Sequence, residues 1–123
     1  MIKYKNIQHL NKLFEETLKA EINFNLKKNI IKMKLELRKG IETIEEYSKE
    51  LIKKYEKIDE NGNKKYTKTQ QELNFELSDE LSNEKDITFD ENLLIKYDEK
   101  EMSKIDSNIL ENLIHYGIIT DFE

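Results

Sequence analysis

Residues 26–58, LKKNIIKMKLELRKGIETIEEYSKELIKKYEKI, are the stretch that decides the fold of this 123-residue chain. Apolar side chains recur there at intervals of three or four residues, and the chain contains no proline. This period is typical of an amphipathic α-helix, and Gly40 is a position where such a helix can bend. The stretch therefore predicts one long central helix over about 26–58. Its apolar stripe consists of Leu26, Ile30, Met33, Leu37, Ile41, Ile44, Tyr47, Leu51, Tyr55 and Ile58.

The residues before this stretch predict a short strand, a helix and an extended segment. Residues 2–5 (IKYK) and 22–26 (INFNL) alternate apolar and polar side chains, as half-exposed strands do. Asn6 is a favourable N-cap residue for a helix over about 6–19. The apolar stripe of that helix consists of Ile7, Leu10, Phe14 and Leu18, with Leu13 alongside.

The residues after the long helix predict a turn and another helix. Residues 59–63 (DENGN) are the clearest turn, because Asn61-Gly62 can take positive φ at two positions in a row. A helix over about 69–82 follows, with Leu73, Leu77 and Leu81 spaced four residues apart.

The last third of the chain predicts strands and a final helix. Residues 86–90 (DITFD) alternate, and we expect them to pair with 2–5 and 22–25 in a small sheet. Residues 91–105 are ambiguous, although Leu93, Ile95 and Tyr97 fit a hairpin strand that extends this sheet. Asn108 with Glu111 resembles a capping box and predicts a last helix that ends near Gly117.

The composition predicts a folded chain with a thin core. Apolar residues make up 37% and charged residues 38%, but 16 Ile, 6 Tyr and 5 Phe supply apolar area for folding. We expect an α+β fold, predominantly helical, in a single domain over residues 1–123, with one long central helix, shorter helices and a small two- or three-stranded sheet. No apolar run approaches the roughly twenty residues of a membrane span, and the N-terminus lacks a signal-peptide core, so we expect a cytoplasmic protein.

No motif in the chain has the pattern of a catalytic or metal site. Cysteine is absent, which excludes disulfides and thiolate chemistry, and His9 and His115 form no close ligand pair. The three glycines are too far apart for a phosphate-binding loop, and a calcium loop around Gly62 would begin at Lys57, which cannot bind a cation. We therefore expect no catalytic residue, no metal, no cofactor and no enzymatic activity.

The charge is divided unevenly along the chain. Residues 1–68 hold 17 basic and 11 acidic side chains, a net charge of +6, whereas residues 69–123 hold 4 and 15, a net charge of −11. Such a division within a small chain favours electrostatic contact between its halves or with a partner.

Three interpretations of this division compete. In the first, the acidic elements neutralise basic faces of the long helix within the chain. In the second, a basic cluster contacts nucleic acid, although the overall acidity and the presence of a single Arg disfavour this. In the third, an acidic set imitates a phosphate backbone and occupies a basic protein groove. The basic cluster is Lys27, Lys28, Lys32, Lys34, Arg38 and Lys39; the acidic set is Glu76, Asp79, Glu80, Glu84, Asp86, Asp90 and Glu91.

Phe75 is the strongest candidate for an aromatic anchor beside the acidic set. It lies off the stripe of leucines in its helix, so it is either an exposed anchor or packed beside that stripe. Tyr66 and Tyr97 are further candidates, because aromatic side chains often dominate the binding energy of an interface.

The order of the predicted elements carries a family resemblance. A short strand, a helix and a long Lys/Glu helix lead to residues 54–63 (KYEKIDENGN), followed by an acidic helix (QELNFEL, 71–77), a short strand (ITFD, 87–90) and a Leu/Ile helix. Over nearly its whole length this order resembles a family of small uncharacterised phage and prophage proteins of low-GC bacteria. Relatives tend to carry prolines near the turn and before the last helix, and this chain has none.

The resemblance implies a biological context and no catalytic residues. A small acidic phage protein typically binds a host or phage protein, so we expect a non-enzymatic inhibitor of a host defence nuclease, of the anti-CRISPR kind, acting as a monomer or weak homodimer. The expected partner is a nucleic-acid-handling protein such as a CRISPR effector, with no sequence-specific nucleic acid and no membrane. The alternative is a virion assembly or accessory protein that self-associates through its long helix.

Overall fold

A computed structural model describes residues 1–121 of the chain, which form a mainly helical α+β fold. The helices are α1 (Ile7–Leu18), α2 (Phe24–Tyr55), α3 (Gln70–Leu81), α4 (Glu99–Met102) and α5 (Ser107–His115). The short strands are β1 (Glu56–Ile58), β2 (Lys64–Tyr66), β3 (Ile95–Lys96) and β4 (Ile119–Thr120). Single 3₁₀ turns occupy Tyr4–Asn6 and Glu91–Leu93.

The predicted long helix is confirmed as α2, with both ends displaced from 26–58. It begins earlier because the Asn23 side chain accepts a 2.9 Å hydrogen bond from the Leu26 N–H and caps the first turn. The expected extended segment over 22–26 is therefore wrong. The helix ends at Tyr55, three residues before Ile58, because the chain there enters β1. The side chains that α2 buries match the predicted stripe and are Ile30, Met33, Leu37, Ile44 and Leu51.

Gly40 allows α1 and α2 to approach closely. A Cβ atom at position 40 would lie 2.6 Å from Cδ1 of Ile7 and 3.0 Å from Cδ1 of Ile87. Both distances are below ordinary van der Waals contact, so a larger residue here forces its neighbours to move. The glycine thus serves packing between elements, whereas the sequence suggested only a bend.

The predicted turn at 59–63 joins β1 and β2 in an antiparallel hairpin that the sequence analysis did not predict. Its register pairs Glu56 with Tyr66 and Ile58 with Lys64. Gly62 takes positive φ, but Asn61 does not, so the expectation of two consecutive positive φ values is wrong. The Asp59 carboxylate instead accepts the N–H groups of Asn61 and Asn63 at 2.9 and 2.8 Å.

The predicted small sheet of 2–5, 22–25 and 86–90 is reduced to one bridge. Ile2 and Ile87 exchange two 2.7 Å backbone hydrogen bonds, while residues 4–6 form a 3₁₀ turn. The hairpin strand expected within 91–105 is also wrong, because β3 pairs in parallel with β4, Ile95 opposite Ile119. Strands of two residues leave almost no alternating pattern in a sequence.

The final helix begins with a different cap from the one predicted. The Asp106 side chain caps α5 by accepting from the N–H groups of Asn108 and Ile109, so the capping box at Asn108 is wrong. A capping box does occur at α3, where Thr69 and Glu72 satisfy each other's backbone N–H groups. Within residues 1–121, no helix combines the length and apolar content that crossing a membrane requires.

The core lies where α1, the first two thirds of α2 and α5 meet. Phe14 at its centre is fully buried and its ring lies 6.3 Å from that of Phe89, which belongs to the loop before β3. Buried side chains run from Ile2 to Ile119, so the C-terminal third of the chain closes over the N-terminal helices.

Candidate protein-binding surface

Helix α3 buries its leucines and turns an acidic side to solvent. Leu73 and Leu81 are buried, Leu77 is partly buried, and α3 packs on α2. The helix contains no basic residue, and Glu72, Glu76 and Glu80 follow one another at intervals of four. Like charges at this spacing repel across one helix face. A cation, supplied either by another part of the chain or by a binding partner, offsets this repulsion.

Phe75 stands in the middle of this acidic side. Its side chain is 77% exposed, which confirms that it does not pack beside the leucine stripe. One shallow surface depression is lined by Lys68, Glu72, Phe75, Glu76, Asp79 and Glu80. We call the solvent-facing part of it, formed by Glu72, Phe75, Asp79 and Glu80, the α3 face.

Glu76 is neutralised from within the chain. Its carboxylate accepts a 2.8 Å hydrogen bond from the Tyr55 hydroxyl and a 2.8 Å bond from Lys68 Nζ, and Lys54 Nζ lies 3.6 Å away. The Lys68 ammonium, followed by the Tyr55 hydroxyl, lowers the pKa of Glu76 below its ordinary value of 4.5. Glu76 therefore fastens α3 to the end of α2, and little of its charge is left for a partner.

Glu84 has a similar internal contact. It accepts a 2.6 Å hydrogen bond from the Tyr47 hydroxyl of α2, and this bond raises the pKa of Tyr47 above its ordinary value of 10.0. Glu76 and Glu84 thus tie the segment around α3 to α2 at two points. Because the Tyr47 hydroxyl is uncharged, only the contact of Glu76 with lysines meets the interpretation of internal neutralisation.

That interpretation covers only a small part of the acidic half. Among residues 1–121, Glu76 is the one carboxylate of residues 69–121 that forms salt bridges with basic residues of the first 68. Asp79 and Glu80 are exposed and form no salt bridge in this part of the chain. Most of the acidic excess therefore faces solvent.

The structure brings together some of the predicted site residues and separates others. Phe75, Glu76, Asp79 and Glu80 line one surface, whereas Asp86 lines a different groove with Lys3 and Ser82. Asp90 caps a 3₁₀ turn by accepting the Asn92 N–H at 2.9 Å, and the exposed Glu91 opens that turn. The exposed Tyr66 lies on β2 and the partly buried Tyr97 follows β3, so neither belongs to the α3 face.

Sequence reasoning missed two residues of this surface. Glu72 lies three positions before Phe75 and four before Glu76, so the helical period alone places it on the same side. Lys68 precedes the helix, and its contact with Glu76 depends on how the chain enters α3. Nothing in the local pattern indicates that contact.

Glu101 is the one buried carboxylate among residues 1–121, and its role is structural. It accepts a 2.9 Å hydrogen bond from the backbone N–H of Asn23 and a 3.2 Å bond from Lys104 Nζ. The Asn23 N–H holds the pKa of Glu101 below its ordinary value. This carboxylate therefore joins α4 to the start of α2. In the described part of the chain, no three His, Asp or Glu side chains are grouped as a metal site requires.

No protein-family model, curated protein or solved structure matches this chain. A function is therefore inferred from the geometry and charge of the α3 face.

Proposed function

We propose that this chain is a phage-encoded inhibitor that binds a nucleic-acid-handling nuclease of the host, such as a CRISPR effector, in the host cytoplasm. The proposal rests on one observation: Phe75 is 77% exposed among Glu72, Asp79 and Glu80, and none of these carboxylates forms a salt bridge within residues 1–121. The family resemblance of the predicted element order supplies the biological context.

The α3 face suits a basic groove for two physical reasons. Glu72, Asp79 and Glu80 lie on one helix and form no salt bridge within residues 1–121, so a cationic surface gains attraction to charges that the free protein leaves unpaired. The phenyl ring of Phe75 loses water on contact, and aromatic side chains at the centre of an interface commonly dominate its energy. The carboxylates and the ring of Phe75 together occupy the part of the basic groove that otherwise binds the phosphates of a nucleic acid.

The inhibitor acts by occupation and performs no chemistry. Bound in the groove, the α3 face excludes nucleic acid or blocks the conformational step that activates the nuclease. The long-range field of the acidic half accelerates encounter with a basic partner. Inhibition in this scheme needs neither a cofactor nor sequence-specific contact with nucleic acid.

The alternative of a virion assembly protein loses its expected interface. Self-association through the long helix would use the apolar seam that includes Ile30, Met33 and Leu37. These side chains are fully buried in the core of the same chain. An assembly role therefore needs a different face of α2.

The test begins with the partner and ends with the α3 face. Tagged protein is incubated with lysate of a host that carries its own defence systems, and retained proteins are identified by mass spectrometry at low and moderate salt. A nuclease that is retained at low salt and lost at moderate salt is purified. Its cleavage of nucleic acid is then measured with and without the inhibitor.

Variants of the inhibitor link the cleavage assay to the proposed surface. The double variant Asp79→Lys, Glu80→Lys is compared with Glu45→Lys, Glu46→Lys, which makes the same change of charge at exposed positions of α2. We expect the first to weaken inhibition on the order of 10-fold at low salt and the second to leave it unchanged. Undiminished inhibition by the α3 variant would show that the α3 face does not bind the nuclease.

A further inference from the structure

A second surface of the chain has chemistry opposite to that of the α3 face. A groove of about 350 Å³ between α1 and α2 is lined by the apolar side chains Leu18, Ile31, Leu35 and Ile41 and the polar side chains Asn11, Lys34 and Arg38. We call it the α1–α2 groove. Ile31 and Leu35 are 47% and 51% exposed on the side of α2 that faces away from the core. Two neighbouring apolar side chains of the groove are therefore open to solvent.

The rim of this groove is basic and contains the chain's one arginine. Arg38 is exposed, and its guanidinium forms no hydrogen bond or salt bridge with any other residue in 1–121. Lys34 is paired with Glu15 at 3.3 Å. Over residues 24–39 the charged side chains are five Lys, Arg38 and a single acid, Glu36, so this part of α2 carries a net positive charge.

The α3 face complements this groove in charge and polarity. One surface presents an exposed phenyl ring among carboxylates, and the other presents apolar side chains beside a guanidinium. Guanidinium groups bind carboxylates with two parallel hydrogen bonds, which lysines cannot do. Phe75 and Arg38 are both exposed, so the two surfaces do not meet within one chain.

We propose that the α3 face of one copy docks into the α1–α2 groove of a second copy. The ring of Phe75 lies against Ile31 and Leu35, and the Arg38 guanidinium pairs with the carboxylates of Asp79 and Glu80. The contact joins two different surfaces, so a pair of copies retains one unused α3 face and one unused groove. Head-to-tail contacts of this kind generate closed rings or open chains.

The charges along α2 favour a second copy over a bilayer or a nucleic acid. The basic segment that surrounds the groove is followed at once by the exposed acids Glu42, Glu45 and Glu46. An extended anionic surface, such as a bilayer or a nucleic acid lying along α2, would also contact those acids and be repelled by them. A compact acidic face with one exposed apolar side chain contacts the groove without reaching those acids, and the α3 face is of this kind.

Self-docking gives the proposed inhibitor a way to mask its own binding surface. Only this masking role rests on the proposed function, because it requires that the α3 face binds the nuclease. The same α3 face then binds either the nuclease or the groove of a second copy. Concentrated protein is self-associated, and dilution or a basic partner exposes Phe75. The groove itself takes no part in nuclease binding, so the two proposals respond differently to substitution.

The test uses two single variants that each remove one of the two surfaces. Phe75→Ala leaves the groove intact, and Leu35→Glu leaves the α3 face intact; both positions are exposed, and circular dichroism checks that both variants fold. Sedimentation velocity of the wild-type protein is expected to show a mass that rises with concentration past two copies and falls with salt. Each variant alone is expected to associate at least ~10-fold more weakly.

An equimolar mixture of the two variants is the decisive sample. Leu35→Glu supplies an α3 face and Phe75→Ala supplies a groove, so the mixture forms a complex of two copies that does not grow. Phe24→Ala is the matched control, because Phe24 is 76% exposed but belongs to neither surface, and its self-association is expected to equal that of the wild type.

Three results would overturn the proposal. They are a wild-type protein that stays a single copy at every concentration, association that survives Phe75→Ala, and a mixture that remains monomeric while each variant alone has lost assembly. Binding of monomeric wild type to anionic vesicles or duplex DNA through Leu35 would assign the groove to another partner. The nuclease cleavage assay separates the two proposals. The Leu35→Glu variant still inhibits cleavage if the α3 face binds the nuclease, whether or not one copy docks into another.

Discussion

The hydroxyl of Tyr55, the last residue of α2, donates a 2.8 Å hydrogen bond to the Glu76 carboxylate of α3. Lys68 Nζ binds the other carboxylate oxygen at 2.8 Å and lies 4.3 Å from the centre of the Tyr55 ring. The three side chains join the end of the long helix, the segment after the hairpin and α3. The orientation of α3, and with it the direction in which Phe75 projects, depends on this contact.

Replacing Glu76 by Gln is expected to lower the thermal unfolding midpoint at neutral pH. The folded state lowers the pKa of Glu76 below 4.5, so the unfolded state binds more protons and the stabilisation exists above that pH. It is lost as the pH falls through the lowered pKa of the folded state. The midpoints of wild type and Glu76→Gln therefore converge in acid, as differential scanning calorimetry across pH will show.

Glu80→Gln is the control for that experiment, because Glu80 is exposed and has no salt bridge within residues 1–121. Its unfolding midpoint is not expected to fall below that of the wild type at any pH, because the substitution removes no salt bridge within residues 1–121 and relieves repulsion along α3. A constant difference between Glu76→Gln and the wild type down to the lowest pH would contradict an electrostatic role for Glu76.

Leu37 and Leu35 form a matched pair for testing the two sides of α2. Leu37 is fully buried, and truncation to Ala is expected to reduce the free energy of unfolding by about 2–5 kcal/mol, through lost burial and the cavity left behind. Leu35→Ala, two residues away on the exposed side, is expected to change it by less than about 0.5 kcal/mol. Urea unfolding measures both; equal losses would show that α2 does not bury the described face.

The contrast between Leu37 and Leu35 also shows what the sequence can and cannot predict. Leu35 belongs with Ile31 and Ile52 to a second apolar line, which predicts a wider buried face, but all three side chains are exposed. The apolar stripe from Leu26 to Tyr55 has one helical period, which defines a buried face without any knowledge of the partners. The end of α2 was misjudged because Ile58 continues that period, although its pairing with Lys64 requires a hairpin. Pairing depends on residues distant in sequence, and a local pattern does not contain it.

The candidate site divides in the same way. Phe75 lies off the Leu73-Leu77 stripe, a position that left both exposure and packing beside the stripe open, and the structure shows it exposed. The position of Glu72 follows from the same helical period. The partners of Glu76 and Glu84 lie on α2, and only the packing of α3 on α2 reveals that these two charges are internally bound. The helical period therefore places Phe75, Glu76, Asp79 and Glu80 on one helix, but it overstates the charge that Glu76 leaves to solvent.

Gly40→Ala is expected to destabilise the protein by about 1–3 kcal/mol, although Ala is the better helix former. The added methyl group would lie 2.6 Å from Cδ1 of Ile7, which is fully buried and has little room to move. In an Ile7→Val background this Cδ1 is absent, and the further cost of Gly40→Ala should be smaller. A double-mutant cycle measured by urea unfolding tests this coupling, and strict additivity would exclude the contact.

The final prediction separates the two contributions of the α3 face to nuclease binding. Asp79 and Glu80 flank Phe75 and remain hydrated until contact, so reversing their charge is expected to reduce the association rate on the order of 10-fold at low salt and much less at high salt. Phe75 acts after encounter, by excluding water from the interface. Phe75→Ala is therefore expected to raise the dissociation rate at least ~10-fold with a small effect on association. Stopped-flow or surface plasmon resonance with the captured nuclease measures both rates. If the charge reversals changed only dissociation, the carboxylates would be bound in the interface as tight ion pairs and would have no steering role.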